Sequence, residues 1–586
     1  MNEKIFFQLM DSIRGIATPH TSLSLILQLL CWQKLSKDLS VPVELRFETV
    51  ADQGLAEQVV ALRQLQPYAM FPFIDEGVWQ SLHGVRGLSP LMQKIRALDT
   101  QGLLDTLTVD DTYFWAADYS QGVFGYAPTL CNLLVALAEI TPEQKVYVPW
   151  EGSGQIAARA LRSNAKVWVE SQTPTTPAQI LNLINPADWE LHPTNSVQTP
   201  AALEKGQLIQ FDAAVCTPPM GVRYSPEISG NDLWGRFEEK TPVGNVLHVQ
   251  HLLAQTKGRI VVTVPNSVLF GKGAEKQLRE YLLKHGYLDA VIALPAGLCT
   301  HTAIPITILV MSKSRRTDAI RFVNADTDEF REFSVKKRCT LKNIPDLLAL
   351  IASKSTSAFA ASIPISQIAD NDFSLEINRY VLDESARKLN ETLTRYETRK
   401  LGDLFDIIRP RQHATASRGE QVWEVQAQDI PQYGYIQHAS KETLFDLDSP
   451  KAHSYFIRPN DVLMTFKGGV GKTGIAGIVP NSGRNGWITG QSLVILRSRF
   501  PEIYPPKALL IYLRSAMGQG LLSRMAVGAS IPSLQLSALK ELEIPMPSVE
   551  GMQPMVRAFD EEAQIQAEIE RLRTRQTELS SDFWSL

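Results

Sequence analysis

Cysteine is scarce in this chain. Cys31, Cys131, Cys216, Cys299 and Cys339 lie far apart in 586 residues and form no CxxC pair. A disulfide framework and a cysteine-rich zinc site are thereby excluded as organising features, and a reducing cytoplasm fits. A run long enough to span a bilayer is also missing. The most apolar stretch, Leu23 to Trp32, falls far short of the roughly 20 residues a membrane helix needs, and it predicts a buried helix in a soluble protein. The opening MNEKIFFQLMDSIRG mixes acids with apolar residues and lacks the pattern of a secretory signal. Internal repeats, a nuclease carboxylate–lysine cluster and a helicase motif set are all absent from the sequence. The general positive charge of a non-specific nucleic-acid binder is absent too, because the net charge is −4.

What is present is enough apolar residue, 44% against 20% charged, to bury a sizeable core, over a length that predicts three or four structural units. The charge is unevenly placed. Between Arg399 and Ser548 there are 17 Lys and Arg against 12 Asp and Glu, an excess of five that leaves −9 for the rest. A locally basic region on an acidic protein suits a phosphate-binding face.

Residues 1–110 read as a helical domain, with Ile5, Leu9 and Ile13 recurring every four residues. From 111 to 335 short β-branched runs alternate with helical segments: KVYV (145–148), KVWV (166–169), FDAAV (211–215), RIVVTV (259–264), LDAVIAL (288–294) and ITILVM (306–311). That alternation predicts a mostly parallel sheet covered on both faces. Residues 336–398, Ser/Ala-rich and then charged, read as a helical connector. Residues 399–548 are rich in Gly, Pro and short β runs. Residues 549–586 read as a charged helix whose Ile565, Ile569, Leu572 and Leu579 form a short heptad seam containing Gln576.

Two loops carry chemistry. In VYVPWEGSGQIAARAL (146–161) a strand runs into Gly152-Ser153-Gly154 and then a helix, a turn in which backbone approaches a ligand closely. Glu170 ends the following strand, where a carboxylate can accept from a ribose. A plain tight turn fits the glycines equally well until Glu170 is counted with them. In FDAAVCTPPMG (211–221) Pro218 and Pro219 stiffen the chain and leave carbonyl groups able to hold the exocyclic amino group of a flat base.

These segments resemble the modification subunit of type I restriction-modification enzymes, methyltransferases acting on adenine N6. GVFGYAPTLCNLLVAL (122–137) resembles the segment before that family's cofactor loop and implies Tyr126 and Pro128 near the cofactor. VYVPWEGSG is similar to its Asp-Pro-x-x-Gly-Ser-Gly loop, FDAAVCTPPMG to its catalytic Asn-Pro-Pro-Phe/Tyr loop, and 258–298, 304–313 and 372–381 continue the likeness in order. The resemblance implies a Rossmann-like class I methyltransferase domain over 111–335 in an α/β chain. It implies S-adenosylmethionine as cofactor, Glu151, Gly152, Gly154 and Glu170 around it, and Thr217, Pro218, Pro219 and Met220 in the catalytic loop. Three positions depart from the family. Thr217 stands for the catalytic Asn and accepts a hydrogen bond more weakly. Met220 stands for the aromatic that stacks on a flipped base, a contact worth roughly 1–3 kcal/mol, or about 5- to 150-fold in rate. Val148 stands for the cofactor-loop Asp, with Glu151 as the possible substitute three residues on.

Residues 399–586 resemble one half of a type I specificity subunit, through KLGDLFDIIRPRQ (400–412), YFIRPNDVLMTFKGGVGKTGIAGIV (455–479) and VGASIPSLQLSALKELEIPMPSVEGMQ (527–553). This implies an α+β target-recognition domain with a C-terminal spacer helix, and makes Arg411, Lys467, Lys472 and Arg484 candidate DNA contacts. The Lys467–Thr473 stretch mimics an ATPase phosphate loop, but β and turn character follows where a helix is required. Two readings remain open: a sequence-specific protein binding double-stranded DNA with methylation impaired or lost, and a working adenine methyltransferase. A single recognition domain with one helix predicts a homodimer through 550–580. The setting implied by resemblance is restriction-modification or phage defence, with cutting or translocation left to nuclease or helicase subunits. No metal is expected.

Overall fold

In the computed structural model, residues 2–581 are described except 17, 70–72, 83–87, 107–124, 153, 172–188, 239, 301, 303, 315–316, 334–337, 383–394, 410–418, 448–451 and 528–532. The chain divides into two units, Met1–Val381 and Leu382–Leu586. In the first, a Thr-Pro pair starts helix α2 (Pro19–Leu35), which follows α1 (Asn2–Asp11). The Thr18 hydroxyl accepts from the Thr21 amide at 3.3 Å, and Pro19 occupies the first turn, where no amide donor is needed. The apolar run Leu23 to Trp32 lies inside α2. Leu25, Ile26, Leu29 and Trp32 are fully buried against α3 (Leu55–Leu65) and α4 (Ser89–Thr100), as its composition predicts. No helix among the described residues is long and apolar enough to cross a membrane.

A nine-stranded sheet forms the rest of this unit. Its strands are β1 (Lys145–Val148), β2 (Lys166–Ser171), β3 (Trp189–Pro193), β4 (Phe211–Cys216), β5 (Thr256–Pro265), β6 (Leu288–Ala293), β7 (Ile306–Ser312), β8 (Ala319–Asn324) and β9 (Ala360–Pro364). Their order is β3-β2-β1-β4-β5-β7-β6-β8-β9. The neighbours from β3 to β5 are parallel, while β7 runs antiparallel to both β5 and β6. Alternation sorts β1 between two cores: Val146 and Val148 face one side and Tyr147 the other. Helices α5 (Pro128–Leu137) and α6 (Gln155–Leu161) cover the first face, and α7 (Gly244–Gln255) and α8 (Ala274–Lys284) the second. Strand order reverses between β1 and β4. In an open α/β sheet that reversal leaves a crevice at the carboxyl ends of the strands, where ligands bind.

The stretch 336–398, expected as a helical connector, is corrected by the structure. Cys339–Leu341 pairs with Arg331–Phe333, α9 (Ile344–Ala352) packs on the sheet, and β9 adds an antiparallel edge to β8. The first unit therefore continues to Val381 instead of ending at 335. The charged segment at 383–394 lies outside the described residues.

In the second unit, β11 (Phe405–Ile408), β13 (Tyr435–Ile436), β15 (Val462–Thr465), β16 (Thr473–Ala476) and β18 (Leu493–Ser498) form a sheet in the order β11-β18-β15-β16-β13. A second sheet runs β14-β12-β17, from β12 (Glu420–Val425), β14 (Lys441–Phe445) and β17 (Trp487–Thr489). Strands β10 (Thr398–Lys400) and β19 (Glu543–Pro545) close the ends of the unit. Helices α10 (Pro506–Arg514) and α11 (Ala516–Met525) interrupt the β-rich stretch. The last helix, α12 (Val549–Ser581), packs on α10 and buries Met552 and Phe559. Residues 549–586, expected as a separate element, are thus anchored at their start in the core of this unit.

Candidate active site at the β1–β4 crevice

Both chemical loops leave the sheet at the strand reversal. After β1, Trp150 is held at φ +58° and Gly154 at +76°, and α6 starts at Gln155. A side chain on Gly154 would be strained there, whereas a Cβ on Gly152 would meet nothing within 4 Å. Gln155 fixes the preceding segment: its Oε1 accepts from the Tyr126 amide and its Nε2 donates to the Tyr126 carbonyl, both at 2.9 Å. Gly125 exchanges hydrogen bonds with Thr300, and Pro128 opens α5. After β4 come Thr217 and Pro218, both buried, and the half-buried Pro219 and Met220, the latter packed on the α5–α6 core.

The structure brings Tyr126, Glu151 and Thr217 together. The Tyr126 phenol shares a side-chain hydrogen bond with the Thr217 hydroxyl, and burial, followed by the nearby Glu151 carboxylate, raises its pKa well above the ordinary tyrosine range. Val148 is fully buried and points into the apolar core. Glu151 turns its carboxylate to the start of α6, accepting from the amides of Gly154 at 2.9 Å, Ile156 at 3.0 Å and Ala157 at 3.4 Å. It satisfies amide donors that a helix start leaves open.

Glu170, expected to face a ribose, is 0% exposed. Its Oε1 accepts from Trp168 Nε1 at 3.3 Å and from the amides of Ala201 and Ala202 at 3.2 and 3.1 Å, and its Oε2 from the Tyr147 hydroxyl at 2.7 Å. Three donors thus converge on Oε1 and one on Oε2, and the carboxylate is fully buried among them. S-adenosylmethionine is the cofactor that the resemblance implies, and among the described residues the two acidic positions offered to it accept from protein donors. The ribose acceptor is committed, Val148 is apolar and Glu151 serves the helix.

Behind Glu170 lies a network that the sequence reading missed. Tyr147 accepts from His251 Nε2 at 2.9 Å, and His251 Nδ1 in turn accepts from the Arg236 guanidinium at 3.1 Å. Arg236 also pairs with Asp232 at 2.8 Å and donates to the carbonyls of Ser196 and Val197. His248, three residues before His251 on α7, shares a 2.9 Å hydrogen bond with the Tyr224 hydroxyl, and its ring centroid lies 4.8 Å from that of Trp150. Burial pushes His248 down to about 3, and burial together with Arg236 holds His251 well below the usual imidazole range. The i, i+3 spacing of two histidines on a helix was the available signal.

The candidate DNA contacts divide. Lys467 and Lys472 bracket the turn between β15 and β16, while Arg484 lies in the loop that leaves the opposite end of β16. The Lys472 ammonium donates to the Ala427 carbonyl at 2.8 Å. Arg411 lies outside the described residues.

With this geometry in place, known proteins sharpen the reading. Residues 117–388 match the family profile of N-6 DNA methylases. Over this segment the chain is similar to that family. Relatives include the MpnII methylase subunit of a type I restriction enzyme from Mycoplasma pneumoniae, 29% identical over 212 residues, covering 34% of this chain and 37% of the relative. The MjaVII methylase subunit from Methanocaldococcus jannaschii is 20% identical over 352 residues, 52% of this chain and 59% of the relative. The chain thus spans less than two thirds of the length of these relatives. A type I methyltransferase subunit from Streptococcus thermophilus shares the fold, with a TM-score of 0.54 at 18% identity over 65% of this chain and 99% of that one.

Proposed function

We propose that this N-6 DNA methylase-family chain is a sequence-specific double-stranded DNA-binding protein of a restriction-modification or phage-defence system. In this reading the type I methyltransferase scaffold is joined to a specificity-type recognition unit, and methyl transfer is impaired. The observation that carries the reading is the Glu170 carboxylate, fully buried and accepting from four protein donors. The buried Thr217, beside the Tyr126 phenol at the position of the family's catalytic Asn, adds to it. Nuclease or helicase subunits would supply cutting or translocation. Calorimetric titration with S-adenosylmethionine is expected to give no saturable heat up to ~1 mM, a Kd equivalent to about −4 kcal/mol, while duplex DNA still binds. The second reading is an active S-adenosylmethionine-dependent adenine-N6 methyltransferase. It draws on the Gly152–Gly154 turn and the open space at Gly152. Micromolar cofactor binding with labelled methyl incorporated into mixed genomic DNA would establish it and overturn the first.

The same proposal includes a homodimer through α12. Ile565, Ile569, Leu572 and Leu579 are 56%, 38%, 52% and 50% exposed, while Glu562, one heptad before Ile569, and Glu570 bond Gly434, Arg514 and Gln437 within the unit. Light scattering is expected to report a dimer for the native chain and a monomer for the Ile569→Glu/Leu572→Glu variant. A native monomer both free and on DNA would remove this part of the reading.

A further inference from the structure

In the five-stranded sheet of the second unit, one end gathers cations and carboxamides around a single buried ring. Phe466 is tied on both sides of its backbone: its amide donates to the Ser492 carbonyl at 2.9 Å, and its carbonyl accepts from the Leu534 amide at 2.7 Å. The residues adjoining these two partners, Gln491 and Gln535, are both exposed. The Arg409 guanidinium stands 5.9 Å from the Phe466 ring centroid. Lys472 joins them through the turn, where the Thr465 amide donates to the Lys472 carbonyl, the Lys472 amide donates to the Thr465 hydroxyl, and Gly468 and Gly471 adopt φ +84° and +90°.

Among the described residues the acids near this end, Glu424 and Asp429, are buried and partnered within the unit. The segments 407–409, 464–473, 490–493 and 533–536 contain no Asp or Glu. Glu424, beside Gly490, is buried and paired with Lys441 at 2.8 Å. The bond from Lys472 to the Ala427 carbonyl neutralises nothing and leaves the ammonium two further N–H groups. At the opposite end of the sheet two cations are cancelled: Arg497 is held by Asp461 at 2.7 Å and Arg499 by Asp406 at 2.6 Å. Arg484 belongs to the loop leaving that end.

We propose that the DNA face of the recognition unit is the Phe466 end of the sheet, with Arg409, Lys467 and Lys472 on phosphates and Gln491 and Gln535 reading base edges, and that the Arg484 loop lies off the duplex. The proposal rests on the DNA-binding reading above and selects one end of the sheet within it. Three uncancelled cations supply sequence-independent attraction by counterion release. A glutamine carboxamide bonds adenine bidentately in the major groove, so the two glutamines supply the sequence-dependent part.

The test uses the full-length protein and a mixed-sequence 30-base-pair duplex, with affinity measured across a salt series. Each of Arg409→Ala, Lys467→Ala and Lys472→Ala is expected to weaken binding about 8-fold at ~0.1 M salt and to lower the log–log salt slope by about 0.9. Lys467→Arg keeps the charge and is expected to keep both values. Arg484→Ala is expected to change affinity less than about 2-fold. Gln491→Ala and Gln535→Ala should leave mixed-sequence affinity unchanged and erase preference at one or two positions in sites selected from a random pool. If Arg484→Ala alone carries the loss, the face is wrong while DNA binding stands. If Lys467→Arg loses as much as Lys467→Ala, the role is packing and the proposal is overturned. If the native protein binds no duplex at any salt, this proposal and the reading beneath it both fall.

Discussion

Replacing Arg236 with alanine is expected to cost the first unit about 3–5 kcal/mol of stability, the range for breaking a buried ion pair from one side. The guanidinium side chain is 2% exposed and that of Asp232 4%, so the carboxylate left behind cannot recover its hydration. Two buried carbonyls, Ser196 and Val197, lose their donor at the same time, and His251 Nδ1 loses the N–H it accepts. The rings of Phe237 and Trp234, 4.6 and 5.1 Å from the guanidinium carbon, lose their cation. Lysine should not rescue, because these acceptors lie around a planar fork that an ammonium cannot reproduce. Urea unfolding followed by circular dichroism measures the effect. A loss below about 1 kcal/mol would place Arg236 among ordinary surface ion pairs and dissolve the network argument. The same substitution should speed amide exchange at Ala201 and Ala202, because the segment Arg236 pins is the one whose amides fill Glu170.

That last link could not be seen in the sequence. The strands of the sheet were legible, because KVYV, FDAAV and RIVVTV are β-branched runs of the right length, and the two chemical loops were correctly placed at strand ends. Strand order then brings these two loops to one crevice. Strand β9 was not legible: Ala360, Ala361 and Ser362 have the composition of a linker, and only pairing with β8 makes them a strand. Helices α10 and α11 were hidden by the Pro and Gly content around them. The fate of Glu170 depended on donors from Tyr147, Trp168 and a loop some 30 residues on, whose convergence no spacing rule encodes. Sequence gave the residue at the strand end; tertiary structure decided what its carboxylate accepts from. The candidate DNA contacts show the same limit, since Lys472 and Arg484 are close in sequence yet belong to opposite ends of a strand.

Acidification from pH 6.5 to 5 is expected to remove about 3 kcal/mol from the stability of the first unit, through His248 and His251. Both rings are buried and neutral, and burial is the first cause of their low pKa. In the unfolded chain each titrates near about 6.5. Between that value and the folded pKa, about 3 for His248 and well below the ordinary range for His251, the unfolded chain binds a proton that the folded chain refuses. Stability is therefore intact above about pH 6.5 and falls below it by up to about 1.4 kcal/mol per unit for each histidine. Carboxylates cannot account for a loss in that window. Asp212, held low chiefly by the Lys145 amide and further by Lys257, keeps its contribution until the pH falls below the ordinary aspartate value of 3.8. The decisive variant is His251→Gln, whose carboxamide can accept from Arg236 and donate to Tyr147 but takes up no proton. Its denaturation midpoint should fall between pH 6.5 and 5 with about half the native slope. An unchanged slope would mean that acid lability arises elsewhere and that His251 admits a proton without unfolding. The Tyr147–Glu170 contact would then open to solvent, and the Glu170 carboxylate could exchange a protein donor for a ribose hydroxyl after all.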